Sequence, residues 1–398
     1  MALANDSILQ LNQMAKQREK EGHKVINATI GMMYDEDKKL PLSKSIRDLM
    51  ASHNKDEDLV YPSVEGEREY LDSLSGWFLN GEVKPSFLAT IGGTGAVALS
   101  FHSVSKMNSL LLLPSFDWPN YEGVASEFGL EYDHYSLFEG KGFGINSLRK
   151  LALDGAKSHD HIAIVVNDPC ENPTGYCMKS GEWAELRELL NKKELNGKVS
   201  LILDLAYIDF AEASQKVHII SFLKDIPAGV MVYLCFSFSK TFSLYGLRIG
   251  ALGVMNQEKE KETAEYLSLK AGARGLWSVS NHMAMNIVGD LLTDESYHDE
   301  LVRETNMNRK LVKERSSLFL KEAKEAGLET YPYEAGFFIS IPARNAKSVV
   351  EYLMKEDIYI VPNRDDCLRV AFSSISLKEV KGLAAKIKEA ITHESVLL

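Results

Sequence analysis

Lys240 stands in the stretch SFSKTFSLYGLRIG, Ser237 to Gly250, directly after the apolar run VMVYLCF. An amine at the buried end of a strand is costly to keep charged, so its free base becomes a nucleophile toward a carbonyl. Ser237, Ser239 and Arg248 add two hydroxyls and a planar guanidinium fork, a donor set suited to a phosphate dianion. An amine for an aldehyde and donors for a phosphate together point to pyridoxal phosphate (PLP), with Lys240 as the Schiff-base lysine. Alone, a lysine after a strand is an ordinary solvated charge. The whole string carries the reading.

Two readings compete for FLATIGGTGAVALS, which holds GxGxxA at Gly93, Gly95 and Ala98, with Asp117 after the next apolar strand. One is a dinucleotide fold with Asp117 on a ribose and hydride-transfer chemistry. It leaves Lys240 and Arg248 without a role. The other uses the backbone amides of Gly93, Thr94 and Gly95, at a helix N-terminus, for a single phosphate. In VSLILDLAYIDF, Asp204 ends a buried strand, where a carboxylate is unfavourable unless a cation faces it. A pyridinium nitrogen is such a cation, and pairing with it makes the ring a better electron sink. A helix cap is the plain alternative for a strand-end aspartate. Tyr207 and Asn172, the latter in NDPCENPTG, can each donate to the ring hydroxyl oxygen, although NPTG would form a turn in any case. Trp118, in PSFDWPNY, offers a flat face to a heteroaromatic ring.

The elements that must hold these residues follow from the apolar pattern. Strand-length runs recur as LLLL, HIAIVV, VSLIL, VMVYLCF and IGALGVM, mostly separated by helical spacing. In SGEWAELRELLNKKELNG the apolar face is Trp183, Leu186, Leu190 and Leu195, with Gly197 as the stop. This alternation predicts an α/β fold with a mainly parallel, doubly wound sheet. Beyond about residue 290 come a long charged helix, then FFISIP, IYIVP, LRVAF and a last helix, a smaller α+β unit. We therefore expect an N-terminal arm and part of the small domain in 1–49, a large cofactor domain in 50–290, and an inter-domain helix with the small domain in 291–398.

The 398 residues are 45% apolar and 25% charged, ordinary for a globular enzyme, and the net charge of -11 argues against nucleic acid or an anionic membrane. Cys170, Cys177, Cys235 and Cys367 show no metal-ligand spacing and read as reduced structural thiols, so no metal is expected. No apolar run approaches membrane-spanning length, and a cytoplasmic protein is expected.

The Lys240 string resembles the lysine-attachment signature of the class I/II PLP-dependent aminotransferases of fold type I, and is most similar to their aspartate and aromatic members. The resemblance runs from INATIGMMYDED to LRVAF. It implies that the N-terminal helix and KVINATIG join the small unit, that the turn at Gly31 closes over substrate, and that Arg369 grips the α-carboxylate. It further implies a homodimer with shared active sites, in which Tyr61 of YPSVEG reaches the neighbouring subunit's phosphate. Arg274, in ARGLWS, aligns with the arginine that binds a second carboxylate, although the surrounding string departs from the family's. A second departure is Tyr121, where aspartate-specific members carry histidine after WPN to support the ring-binding aspartate. The implied reaction exchanges an amino group between aspartate, glutamate or an aromatic amino acid and a 2-oxo acid such as 2-oxoglutarate. A PLP-dependent β-lyase or decarboxylase, or a sensor domain of the same fold, would share most of this frame.

Overall fold

The computed structural model describes residues 5–396 and divides into two compact units. One comprises Leu42–Pro169 and Met178–Thr305; the other comprises the chain up to Pro41, Cys170–Cys177, and the chain from Asn306 onward. The boundaries thus fall at 41/42 and 305/306, not at 49/50 and 290/291. The short segment 170–177 also leaves the large unit for the small one. Ser340 Oγ donates to the carbonyl of Pro173 at 3.0 Å, and the ring of Tyr333 lies against Gly175, so this loop is anchored by small-unit residues.

The large unit is built on seven strands: β1 (Ser86–Ile91), β2 (Ser109–Pro114), β3 (Glu131–Tyr135), β4 (His161–Asn167), β5 (Val199–Asp204), β6 (Met231–Ser237) and β7 (Ile249–Met255). Their spatial order is β1-β7-β6-β5-β4-β2-β3. Strands β2, β4 and β5 are buried along their whole length, as the continuous apolar runs require of strands covered on both faces. Every pairing from β6 to β3 is parallel, whereas β7 runs antiparallel to both β6 and β1. The reason lies in the connection. Between Ser237 and Ile249 there is only the four-residue helix α2 (Phe238–Thr241) and a loop, too short to cross over and re-enter in parallel. The chain must turn back, and it does so with Lys240 in the turn. Helix α1 (Gly92–Val104) follows β1 directly, and its Ala96, Val97, Leu99 and Phe101 join the core beneath the sheet.

The expected helix beginning at Ser180 stops at Leu190 rather than at Gly197. The Asn191 side-chain amide donates back to the Arg187 carbonyl at 2.9 Å and ends it, and Leu195 is buried from a separate short turn, Lys193–Leu195.

His161 opens β4 with its ring buried and its Nε2 2.8 Å from the Ser200 hydroxyl. Burial pushes the imidazole from 6.5 down to about 4. An unfolded chain would bind this proton below about 6.5, whereas the folded one resists it until about 4, so the contribution is whole above the first value and is lost as pH falls toward the second. The difference is at most about 3 kcal/mol. We expect His161→Gln to flatten the acid limb of the thermal-stability profile between those values, measured by melts across pH. An unchanged profile would remove His161 as its cause.

In the small unit, Phe338–Pro342, Cys367–Ala371 and Val361–Pro362 form an antiparallel sheet with the second of these central. Ile26–Asn27 pairs in parallel with Ile358–Tyr359, and Ala15 of the helix Asn5–Lys20 packs against Tyr359, which joins both N-terminal elements to this unit. Arg315, from the long helix Glu295–Glu325, is fully buried. Its guanidinium donates to Glu36 Oε1 at 2.7 Å and to the carbonyls of Tyr34, Phe372 and Ser373 at 2.9, 3.2 and 3.1 Å. The arginine thereby ties the segment after Gly31 to the end of the strand bearing Arg369. Among the described residues, no helix is long and apolar enough to cross a membrane.

Candidate active site

In the large unit the chemistry gathers at the carboxyl ends of the central strands, the usual ligand position in an open α/β sheet. Asp204 ends β5 in register with Asn167 of β4 and Cys235 of β6. The Asn167 side chain donates to the Asp204 carbonyl at 3.0 Å and so fixes the backbone there. Its carboxylate accepts from the Tyr121 hydroxyl at 2.6 Å and from the Ala206 amide at 3.1 Å. Burial pushes this carboxyl above its ordinary value, while the Tyr121 and Ala206 hydrogen bonds and the positive charge of Lys240 act the other way. A buried carboxylate still held up by desolvation is one for which a further cation would be favourable.

Lys240 lies not at the strand end but one turn beyond it, in α2, and it is half-buried. Its Nζ stands 5.6 Å from the ring centroid of Tyr207 and 5.1 Å from that of Tyr245, two π faces that attract the ammonium. Desolvation is therefore less complete than the apolar run suggested. Ser237 and Ser239, flanking Phe238, are both buried, and Arg248 Nη1 donates to Ser239 Oγ at 3.1 Å and to the Tyr245 carbonyl at 3.0 Å. Arg248 is exposed and holds a left-handed backbone at φ 54°, a conformation that costs a non-glycine residue roughly 1 kcal/mol or more. That strain delivers the guanidinium to the start of α1.

Gly92, the first residue of α1, sits at φ 75°, and a Cβ there would come within 2.6 Å of the Arg248 guanidinium. A Cβ on Gly93 would meet the Ser237 side chain at 2.8 Å. Only glycine lets the helix N-terminus, the arginine and the serine converge. In a helix beginning at residue 92, the amides of Gly92, Gly93 and Thr94 precede the intrahelical ladder, whereas Gly95 is the first whose partner four residues back is available. Free amides, two hydroxyls and a guanidinium fit a phosphate dianion. With Asp204 as pyridinium partner and Lys240 as amine, these residues fit PLP.

Trp118 is half-buried and meets Tyr121 edge-on, centroids 5.4 Å apart. Asp117 turns elsewhere, lying 3.7 Å from His134 Nε2, which also pairs with Glu122 at 3.2 Å. The dinucleotide reading fails here: the strand preceding the glycines lies at the sheet edge beside an antiparallel neighbour, not at a switch point between parallel strands.

The small unit holds the remaining predicted residues. Arg369 is buried on its strand, with Nη2 donating to the Thr29 carbonyl at 2.7 Å and Nη1 to Asn172 Oδ1 at 3.4 Å. The guanidinium carbon lies 4.5 Å above the Phe338 ring. A Cβ on Gly31 would strike that ring at 2.4 Å, so this glycine allows the ring to lie beneath Arg369. Tyr61 is 89% exposed, in a run with Leu59 and Val60 that is exposed as well. Arg274, in the last turn of helix Lys259–Leu276, is exposed and bonds the Ser278 hydroxyl.

Sequence reading missed Tyr245, Phe338 and Thr29, and recorded Tyr121 only as a departure. Tyr245 lies five residues after Lys240, but nothing in its residue type announces a ring facing that lysine. Thr29 acts through its carbonyl, which leaves no trace in residue type.

The family model described as aminotransferase class I and II matches residues 23–387. The aromatic-amino-acid aminotransferase of Escherichia coli (strain K12) is 27% identical over 306 residues, 74% of this chain and 75% of that protein. The aspartate aminotransferase of Pseudomonas aeruginosa is 26% identical over 278 residues, 66% of each. Among solved structures, an aminotransferase from Anaerococcus prevotii superposes with a TM-score of 0.90 at 30% identity, covering 97% of this chain and 96% of its own. An aromatic-amino-acid aminotransferase from Burkholderia pseudomallei, covalently bound to pyridoxal phosphate, has a TM-score of 0.79 at 21% identity with 96% of each chain covered.

Proposed function

The chain belongs to the class I and II aminotransferases, and from that premise we propose that Lys240 is its cofactor lysine and that its amino donors are dicarboxylic or aromatic L-amino acids, with 2-oxoglutarate as acceptor. The observation that carries the site assignment is the convergence of Ser237, Ser239 and Arg248, which surround Lys240 in the chain, on the start of α1, where a Cβ on Gly92 or Gly93 would meet Arg248 or Ser237. When bound, PLP supplies an electron sink for the charge that develops at the substrate Cα. Asp204, oriented by Tyr121, holds the proton of the ring nitrogen. The α1 amides, Ser237, Ser239 and Arg248 would bind the phosphate, Trp118 would offer its face to the ring, and Tyr207 and Asn172 would be the donors for the ring oxygen. Lys240 Nζ would hold the cofactor aldehyde and, once freed by the substrate amine, would move the proton from the substrate Cα to the cofactor's aldehyde carbon, as general base and then acid. Arg369, kept flat by Phe338, receives the α-carboxylate as a bidentate fork beside Gly31.

The same proposal includes a homodimer. Leu59, Val60 and Tyr61 expose a contiguous apolar run of the kind that an interface covers. Tyr61 is assigned to the phosphate across that interface and Arg274 to a substrate side-chain carboxylate. Four free, buried cysteines suit the reducing cytoplasm.

The test is the absorbance of the PLP-loaded protein, titrated first with single amino acids and then with 2-oxoglutarate. A band bleached by the donor and restored by the oxo acid is expected; bleaching with pyruvate release and no need for an oxo acid would instead establish a lyase. Arg274→Ala is expected to raise KM for aspartate and glutamate by about 100-fold, the loss of a charge-assisted pair, with aromatic donors changed by less than about threefold. Equal changes for both donor classes would show that Arg274 does not read the side chain.

A further inference from the structure

We propose that Asp209 is a positioning residue for Lys240, acting through the hydroxyl of Thr241. Thr241 Oγ1 donates to Asp209 Oδ2 at 2.9 Å, and both residues are buried. The same carboxylate oxygen accepts from the Trp77 indole at 3.0 Å, and Lys216 Nζ lies 3.5 Å from the other oxygen while donating to the Trp77 carbonyl at 3.0 Å. The role rests on Lys240 being the cofactor lysine.

The need for such an anchor comes from the length of α2. Four residues make a single turn, which has no cooperative stability of its own and must be held from outside. Phe238 is buried against Phe78 and Phe242, which fixes the start of the turn. Each chain neighbour of Lys240 has a polar tether: Ser239 to Arg248, and Thr241 to Asp209. The first tether uses an exposed guanidinium assigned to the phosphate, so it is shared with the cofactor site. The second is buried and bonds no group assigned to a ligand. A carboxylate can only accept, so the Thr241 hydroxyl must donate and its rotor has one direction. The bond thereby holds the χ1 rotamer at position 241 and with it the backbone beside Lys240. The charge on Asp209, costly where it is buried, is met by an indole, a hydroxyl and an ammonium. A neutral acceptor would have sufficed to cap a hydroxyl; the carboxylate makes this tether stronger than a neutral pair.

The experiment compares wild type, Thr241→Val, Thr241→Ser and Asp209→Asn as PLP-loaded enzymes. Borohydride reduction with peptide mapping of the wild type first locates the cofactor. Attachment to a lysine other than Lys240 would remove the premise, however the variants behave. Single turnovers with L-glutamate or L-tyrosine, whichever bleaches the band faster, protiated or deuterated at Cα, then read proton transfer directly. Thr241→Val is expected to keep cofactor affinity and KM within about twofold, to slow transfer by about 10- to 100-fold with an enlarged deuterium isotope effect, and to shift the pH titration of the band. Thr241→Ser is expected to recover transfer to within about threefold of wild type. Combining Thr241→Val with Asp209→Asn should be no slower than Thr241→Val alone, because the asparagine only weakens the tether that the valine removes. Wild-type transfer and isotope effect in Thr241→Val, failure of Thr241→Ser to recover, additive losses, or a loss wholly explained by weaker PLP binding would each overturn the proposal. Should Thr241→Val not fold, Thr241→Ser against Asp209→Asn decides it by the same readouts.

Discussion

Lys240→Ala is expected to lower kcat for transamination by at least about 10⁴-fold while leaving the fold intact. Both roles proposed for Lys240 would end together in this variant: the covalent hold on the cofactor aldehyde and the base that moves the Cα proton. The structure explains why folding should survive. Lys240 is half-buried in a loop-borne turn, and the contacts of its ammonium with the Tyr207 and Tyr245 rings, about 0.5–2 kcal/mol, are a loss that the fold can absorb. Lys240→Arg separates the two effects further. A guanidinium keeps the charge and both aromatic contacts, yet it neither condenses with an aldehyde nor gives up a proton near neutrality. It should therefore be as inactive as the alanine variant and as stable as wild type, by circular dichroism and thermal melting. Retained wild-type turnover in either variant would remove Lys240 from the mechanism.

Asp204→Asn is expected to move stability and cofactor affinity in opposite directions. In the protein without cofactor, burial raises this carboxyl above its unfolded value despite its two hydrogen bonds. A carboxyl whose folded value is raised favours the folded state while protonated and loses that contribution as pH climbs past the unfolded value. Above the unfolded value the carboxyl weighs against folding, a cost that asparagine does not carry. The amide fits the same space: its oxygen accepts from Ala206, and its NH₂ donates to a Tyr121 hydroxyl free to rotate. The cofactor-free variant should melt about 2–4 °C higher, for a gain on the order of 1 kcal/mol. PLP affinity should drop by about 100-fold or more, because the pyridinium loses its buried counter-charge. Melts without cofactor and fluorescence titration with PLP measure the two sides. A variant that melts lower and binds PLP as before would show that Asp204 is only a structural cap.

Much of the site was legible because its chemistry lies in side-chain types at strand ends. A lysine among hydroxyls with an arginine following, an aspartate closing a buried run, and glycines opening a helix each carry a local physical demand that residue type alone expresses. What faces them did not appear in the same way. The Tyr121 hydroxyl reaches Asp204 across a separation of 83 residues, and Thr241 reaches Asp209 across 32. Arg315, set in a charged helix, reads as a solvated side chain, and it is buried only because Glu36 and the carbonyls of Tyr34, Phe372 and Ser373 converge on it.

The sequence by itself determined the alternation of buried strands and amphipathic helices and the position of Lys240, Arg248 and the acid Asp204 at or just beyond the strand ends, since periodicity and residue type are properties of short windows. Tertiary structure alone decided the antiparallel return of β7, the membership of segment 170–177 in the small unit, and the partners of Asp204, Lys240 and Arg369. Those depend on which distant groups desolvate a charge or satisfy it, and that free energy exists only once the chain has brought them together.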